Sequence, residues 1–230
     1  MIHGVLLTMT DHKNVIVKKP WGKEYLIFEN DDVGIWALHI NKGESTSLHC
    51  HPKKNTGLII LKGEVEVSFL NDSRIHVPMD KIMIRRGLFH SSKAITDAVI
   101  LEIESPKDKL DLVRFTDNYG RKYKPYEGKD QEIERTDELW IEVPEDHIVS
   151  CKSAFGKLFV TERTNTGRIP LTTHELDIII ICEGGIIDQK TGWYVAAPGD
   201  VITSKVMNIL LERFNPTQSL VTIKIPVGKG

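Results

Sequence analysis

Long apolar runs are missing from this sequence. No stretch approaches the ~20 consecutive apolar residues that a membrane-crossing helix needs, so no membrane partner is expected. The N-terminal run Val5 to Met9 lacks a basic start and a small-residue cleavage site, and is too short for the core of a signal peptide. Cysteine is equally scarce. Cys50, Cys151 and Cys182 are odd in number and far apart, which excludes a disulfide framework and a Cys-x-x-Cys knuckle. They read as three reduced thiols of a cytoplasmic protein. An excess of one charge is absent too: 30 Lys and Arg face 32 Asp and Glu, for a net charge of −2. Nothing in that balance suggests nucleic acid or an anionic membrane surface as partner. Helical periodicity is sparse, and no helix-turn-helix pattern occurs.

What remains is short strands. Hydrophobic residues make up 40% of the 230, enough for a sizeable core. Alternating or aliphatic runs closed by Gly, Asn, Asp or Pro fall at 24–30, 33–40, 45–51, 56–63, 64–70, 81–87 and 98–104. That spacing predicts an all-β sandwich or barrel. A polar segment over 105–138 reads as a linker or surface excursion with one short helix near Lys107–Leu112. Strands resume at 139–143, 156–163, 176–184, 192–200, 206–214 and 219–227. Both halves carry an aliphatic strand ending in Gly (Gly63, Gly184), a hairpin, and a strand start with Asp (Asp80, Asp200). Two tandem β-barrels follow from that order, one over 15–125 and a diverged one over 126–230.

Chemistry concentrates between Gly43 and Gly63. On a strand His49 and His51 share a face and Cys50 points the other way, because side chains alternate. Two imidazoles on one face can be neighbouring ligands of one metal ion, and His90, beyond the turn at Gly87, supplies a third. Lys53 and Lys54 follow in the rim turn, and Arg85 and Arg86 approach His90. At most one of these two arginines faces inward, where it could hold a phosphate or carboxylate. Glu102 and Glu104 share one face of a late strand, from which either could supply a carboxylate across the barrel. His39 lies on the strand before the motif, where it either lines the pocket or simply packs. His76 reads as a loop histidine, and Trp36 and Phe89 as core.

The spacing resembles the cupin superfamily. Its first motif is a Gly, five residues, His-x-His, three or four residues, a Glu, six residues and a Gly. Gly43, His49, His51 and Gly63 fit, and Thr56 stands in the glutamate slot. Gly87 and His90 fit the second motif, where Met79, Arg85 and Ala94 depart from it. A narrower likeness lies in "KPWGKEYLIFEN" (19–30) and "DLVRFTDNYGR" (111–121). These are similar to the entry and the close of the cupin domain in bifunctional mannose-6-phosphate isomerase / mannose-1-phosphate guanylyltransferase enzymes.

The resemblance implies tandem jelly-roll barrels of double-stranded β-helix type and an isomerase or epimerase acting on a sugar or sugar phosphate. It also implies one divalent metal ion (Zn, Fe, Mn or Ni) on His49, His51 and His90, and a homodimer. Lys53, Lys54, Thr56, Arg86 and His39 would contact an anionic or sugar ligand. Thr56 opens two alternatives. Thiol and diketone dioxygenases of similar build hold iron by histidines without a carboxylate, and a sugar-binding cupin needs no catalysis. In the second half the template puts Pro170 and Thr172 on the histidine slots, Asp177 on the glutamate slot and Leu210 on the third-histidine slot, with His174 out of register. That barrel is expected to be degenerate and structural, completing the pair, covering the first barrel's sheet or forming a subunit contact.

Overall fold

The computed structural model describes residues 12–13, 15–121, 133–135, 139–145, 149–165 and 174–228. The N-terminal half contributes β1 (Val15–Lys19), β2 (Gly22–Glu29), β3 (Gly34–Ile40), β4 (Leu48–Cys50), β5 (Asn55–Lys62) and β6 (Val65–Ser68). It continues with β7 (Ser73–His76), β8 (Lys81–Ile84), β9 (Ser91–Ala94), β10 (Ala98–Ser105) and β11 (Val113–Thr116). Then come β12 (Ile133–Arg135), β13 (Ser150–Ala154), β14 (Lys157–Asn165), β15 (Ile178–Glu183), β16 (Ile186–Ile187), β17 (Tyr194–Ala196) and β18 (Val201–Thr203). The helix α1 (Ser204–Leu211), β19 (Asn215–Pro216) and β20 (Ser219–Ile225) close the chain. Among the described residues no helix is long and apolar enough to cross a membrane.

The first barrel faces two sheets. The large one runs β12-β1-β2-β3-β10-β5-β8. Opposite lie β7-β6-β9 and β4-β11, joined through the bridges Ser45–Lys93 and His49–His90. Alternation along the large sheet sends Trp36, Leu38, Leu58, Ile60 and Ile100 into the barrel, with Val65 and Val67 from the other wall. The opposite face carries Tyr25, Ile27, Ile35, Ile59, Leu101 and Ile103. This face is not left to water. It packs against Phe159, Ile178, Ile180, Val201, Val221 and Ile223 of the second half in one continuous core. Strands β5 and β10 are therefore buried on both faces, which is why "TGLIILKG" and "AVILEIE" read as unbroken aliphatic runs.

The second half repeats the first. Its large sheet, β13-β14-β20-β15-β18, has the connectivity of β2-β3-β10-β5-β8, and its small sheet, β17-β16-β19, that of β7-β6-β9. One turn is duplicated bond for bond. Met79 N–H donates to the Ile60 carbonyl at 2.8 Å, as Gly199 N–H does to Ile181 at 2.7 Å. The Asp80 carboxylate accepts from Val77 N–H at 3.1 Å, and that of Asp200 from Ala197 N–H at 2.8 Å. The turn needs a positive φ: Gly199 has +91° and Met79 adopts +76°. The chain is thus a tandem double-stranded β-helix, with the second barrel set sheet to sheet against the first.

Three local expectations are corrected. No helix forms at Lys107–Leu112; Asp108 instead ties a turn, its carbonyl accepting from Asp111 N–H at 3.2 Å and its carboxylate from Leu110 N–H at 2.9 Å. The apolar run 206–214 is mostly helical rather than a strand. Thr203 caps α1 by accepting from Val206 N–H at 3.3 Å, and Met207, Leu210 and Leu211 bury one side of it. Residues 139–143 carry no strand, although Ile141 bonds the Ile27 carbonyl at 2.8 Å. Strand β12 extends the first half's sheet by pairing with β1, beyond residue 125.

Candidate metal centre

Three histidines converge on the small-sheet wall of the first barrel. His49 and His90 face one another across an antiparallel pair and exchange both backbone bonds, at 3.0 and 2.8 Å. His51 lies two residues on, on the same face, and its carbonyl accepts from Gly87 N–H at 2.8 Å. That bond tethers the turn that delivers His90. All three rings are buried, with centroids 4.5 to 5.3 Å apart. One ring nitrogen from each falls within 4.8 Å of the others.

The backbone fixes which nitrogen that is. His49 Nδ1 lies 2.7 Å from the Ser47 carbonyl, His51 Nδ1 2.6 Å from that of Asp111, and His90 Nδ1 3.0 Å from that of Leu88. A carbonyl only accepts, so each Nδ1 carries the proton and each Nε2 keeps its lone pair. His51 Nε2 is buried with no hydrogen-bond partner. Burial, then the neighbouring imidazoles, hold His49 well below the usual histidine range. Burial and the Lys54 charge bring His51 to about 3, and burial brings His90 to about 4. Three neutral imidazoles, each oriented by a carbonyl, are what a divalent transition metal requires. The residues fit such an ion, with coordination positions left over for another ligand.

The facing wall is charged. Thr56 and Glu104 are cross-strand partners on the inward face, and the Thr56 hydroxyl is buried without a hydrogen-bond partner. Lys54 Nζ donates to Glu104 Oε1 at 2.6 Å and to the Asp108 carbonyl at 2.9 Å. Lys109 reaches Glu104 at 3.1 Å and Glu102 at 3.2 Å, and lies 4.0 Å above the Trp36 ring. Lys19 and Glu24 pair at 3.6 Å. Burial opposes ionisation of Glu104, but Lys109 and Lys54 outweigh it and hold the carboxyl at about 2. Burial wins at Glu102, whose carboxyl is raised. The two inward carboxylates of β10 are thus driven apart. A cavity of about 60 Å³ lies between the walls, lined by His49, His51, Lys54, Glu102, Glu104 and Arg114 among others.

Of the residues expected to touch a ligand, Lys54 lines the cavity with His49 and His51, and Thr56 lies on the inward face opposite Glu104. Lys53 and Arg86 sit on the exposed rim, and Arg85 is exposed beside Arg86. His39 projects from the opposite face of β3, stacked on Tyr25 at 5.6 Å with Phe155 against its edge. Trp36 is core, as read; His76, read as a loop histidine, instead ends β7, paired with Val65 and 3.4 Å from Asp80. Lys19, Glu24, Lys109, Asp111 and Arg114 escaped the sequence reading. Lys19 and Glu24 lie in the segment 19–30, and Asp111 and Arg114 in 111–121, which were read only as the barrel's entry and close; Lys109 lies outside both. Asp111 holds His51 by its carbonyl and the Lys53 and Lys54 N–H groups by its carboxylate, at 2.8 and 3.0 Å. A signal existed: two glutamates on a strand buried on both faces demand cations, and "KDKLD" (107–111) follows directly.

The second half offers no counterpart among the described residues, where His49, His51 and His90 form the one histidine, cysteine or carboxylate group close enough for a metal. Pro170 and Thr172 lie outside the described residues. Asp177 is fully buried and accepts from His174 and Val227 N–H at 3.1 and 3.0 Å, a structural role. Leu210 sits on α1, packed into the second barrel.

Comparison with known proteins finds no matching family model. Mannose-1-phosphate guanylyltransferase of Escherichia coli (strain K12) is 27% identical over 109 residues, covering 46% of this chain. The match spans 23% of that protein's length. Similar solved structures include an RmlC-like cupin and a protein with a double-stranded β-helix domain. An RmlC-like cupin from Shewanella frigidimarina aligns at TM-score 0.39 and 17% identity, over 41% of this chain and 85% of its own. KdgF from Halomonas sp. aligns at TM-score 0.38 and 18% identity, over 39% and 83% respectively.

Proposed function

We propose that the first barrel is a metal-dependent isomerase centre for an anionic sugar or sugar phosphate. The observation that carries this reading is the convergence of three carbonyl-oriented imidazoles opposite two buried glutamates of opposite proton affinity. A divalent ion on His49, His51 and His90 would polarise a carbonyl and the hydroxyl beside it. Glu102, whose carboxyl burial raises, carries the proton from one carbon to its neighbour, while ionised Glu104 keeps Lys54 and Lys109 in place. Lys54 and Arg114 hold the anionic group. The likeness to an enzyme named for a mannose phosphate supports the substrate class.

Elemental analysis of the purified protein tests the centre: about one metal ion per chain is expected, and His90→Ala should lose it. Incubating the metal-loaded protein with aldose phosphates in D2O tests the reaction. Deuterium should enter at C2, and Glu102→Gln should abolish the exchange while leaving metal content unchanged. Homodimerisation, carried by the cupin resemblance, is read from the sedimentation velocity of the same sample.

The hydroxyl of Thr56 in the glutamate slot favours one second reading, an all-histidine iron dioxygenase. Oxygen consumption by the iron-loaded protein with no deuterium exchange would select it. A metal-free protein that still binds sugar phosphates after His49→Ala would remove both.

A further inference from the structure

The charge at residue 54 is unusual for a site meant to hold a cation. Lys54 lies two residues before Thr56, on the same inward side, and its side chain is 1% exposed. Two of its three N–H groups are taken by Glu104 Oε1 and the Asp108 carbonyl. The third has no acceptor among the described residues. Lys54 lines one cavity with His49 and His51. The Thr56 hydroxyl, His51 Nε2 and Glu104 Oε2 are also buried without hydrogen-bond partners. A carboxylate at position 56 would have neutralised part of a divalent ion's charge. Here three neutral nitrogens neutralise none, and an ammonium fixed nearby adds to it. Glu104 offsets only one of the two ammonium charges that share its Oε1, those of Lys54 and Lys109. Uncompensated buried charge of one sign is costly, so a metal ion entering alone is disfavoured.

We infer that this site takes its metal and a small oxyanion together, the anion bridging the metal and the spare N–H of Lys54. The ligand class is a carboxylate or phosphate oxygen, supplied by the substrate or by a free anion. This rests on the three-histidine metal reading. The coupling is reciprocal, since each ligand must raise the other's affinity by the same factor.

Calorimetric titration of the metal-free full-length protein with Co²⁺ tests it, in a zwitterionic buffer with and without inorganic phosphate or acetate. Co²⁺ affinity should rise at least tenfold with either anion saturating, and anion affinity should rise by the same factor with Co²⁺ present. A response to phosphate alone assigns the seat to phosphoryl groups, and a response to both assigns it to oxyanions generally. Lys54→Met should bind Co²⁺ at least tenfold more tightly than wild type without anion, with coupling below twofold. If that variant does not fold, the wild-type reciprocity decides by itself. Stoichiometric Co²⁺ binding that ignores both anions, but is lost in His90→Ala, overturns the inference and leaves the metal centre standing. No Co²⁺ binding with or without anion overturns both.

Discussion

Glu104 shows how single residues were and were not legible. Its type, its strand and its inward face follow from "AVILEIE" alone, and so do the three histidines from their spacing. The identity of its partner does not, because Lys54 and Lys109 meet it from segments 50 residues upstream and five downstream. His39 failed for a simpler reason: a one-residue parity difference sends it to the other face of β3. The Glu104 pairing has a measurable signature. Glu104→Gln leaves Lys54 buried without its countercharge and should cost about 3 kcal/mol at pH 7, read from urea unfolding. The carboxyl is held at about 2 in the folded chain against an ordinary 4.5. Its stabilising contribution is therefore complete above 4.5 and lost as pH falls towards 2. The gap between wild type and Glu104→Gln should accordingly narrow at pH 3. A gap that stays constant between pH 7 and pH 3 would refute this account.

Elements were read best where burial on both faces left an aliphatic run, as in β5, β10, β15 and β20. They were read worst where the spacing of apolar residues suits a strand and a helix alike. The segment 206–214 has nearly the same composition as a strand, and only the cap at Thr203 and the spacing of Met207, Leu210 and Leu211 mark a helix. Strand β9 carries a polar sequence and β11 leaves Val113 and Phe115 exposed, so both owe their form to their neighbours. Thr203→Ala should lower stability by about 1 kcal/mol through the lost cap, seen in the urea midpoint. Gly199→Ala should do more. The residue has φ +91°, and an added Cβ would stand 2.3 Å from the Ser105 Cβ on β10. A loss of more than about 2 kcal/mol is expected from conformation and clash combined. A melting temperature unchanged in Gly199→Ala would show that the halves do not meet there as described.

The two halves share one core, and that decides how the whole molecule unfolds. Separating them would expose Ile59, Leu101 and Ile103 among others, at about 1.5–3 kcal/mol each. Unfolding should therefore be one transition. Fluorescence of Trp21 and Trp36 of the first barrel, isolated by Trp140→Phe and Trp193→Phe, should coincide with far-ultraviolet circular dichroism of the same chain. Two resolved transitions would contradict the shared core. A fragment ending at Arg121 should bind a hydrophobic dye and aggregate. The duplicated order of strands was legible through Gly63 and Gly184, whereas the sheet-to-sheet contact had no local sign beyond aliphatic runs lacking a polar face. Helix α1 carries a lasting consequence. It occupies the stretch that corresponds to the His90 turn, and it turns Leu210 into the second barrel's core. Writing histidine at 210 would bury an imidazole among Ile179, Ile181 and Met207 rather than build a ligand. The asymmetry between the halves is a one-way door: no exchange of single residues equips the second barrel for the chemistry of the first.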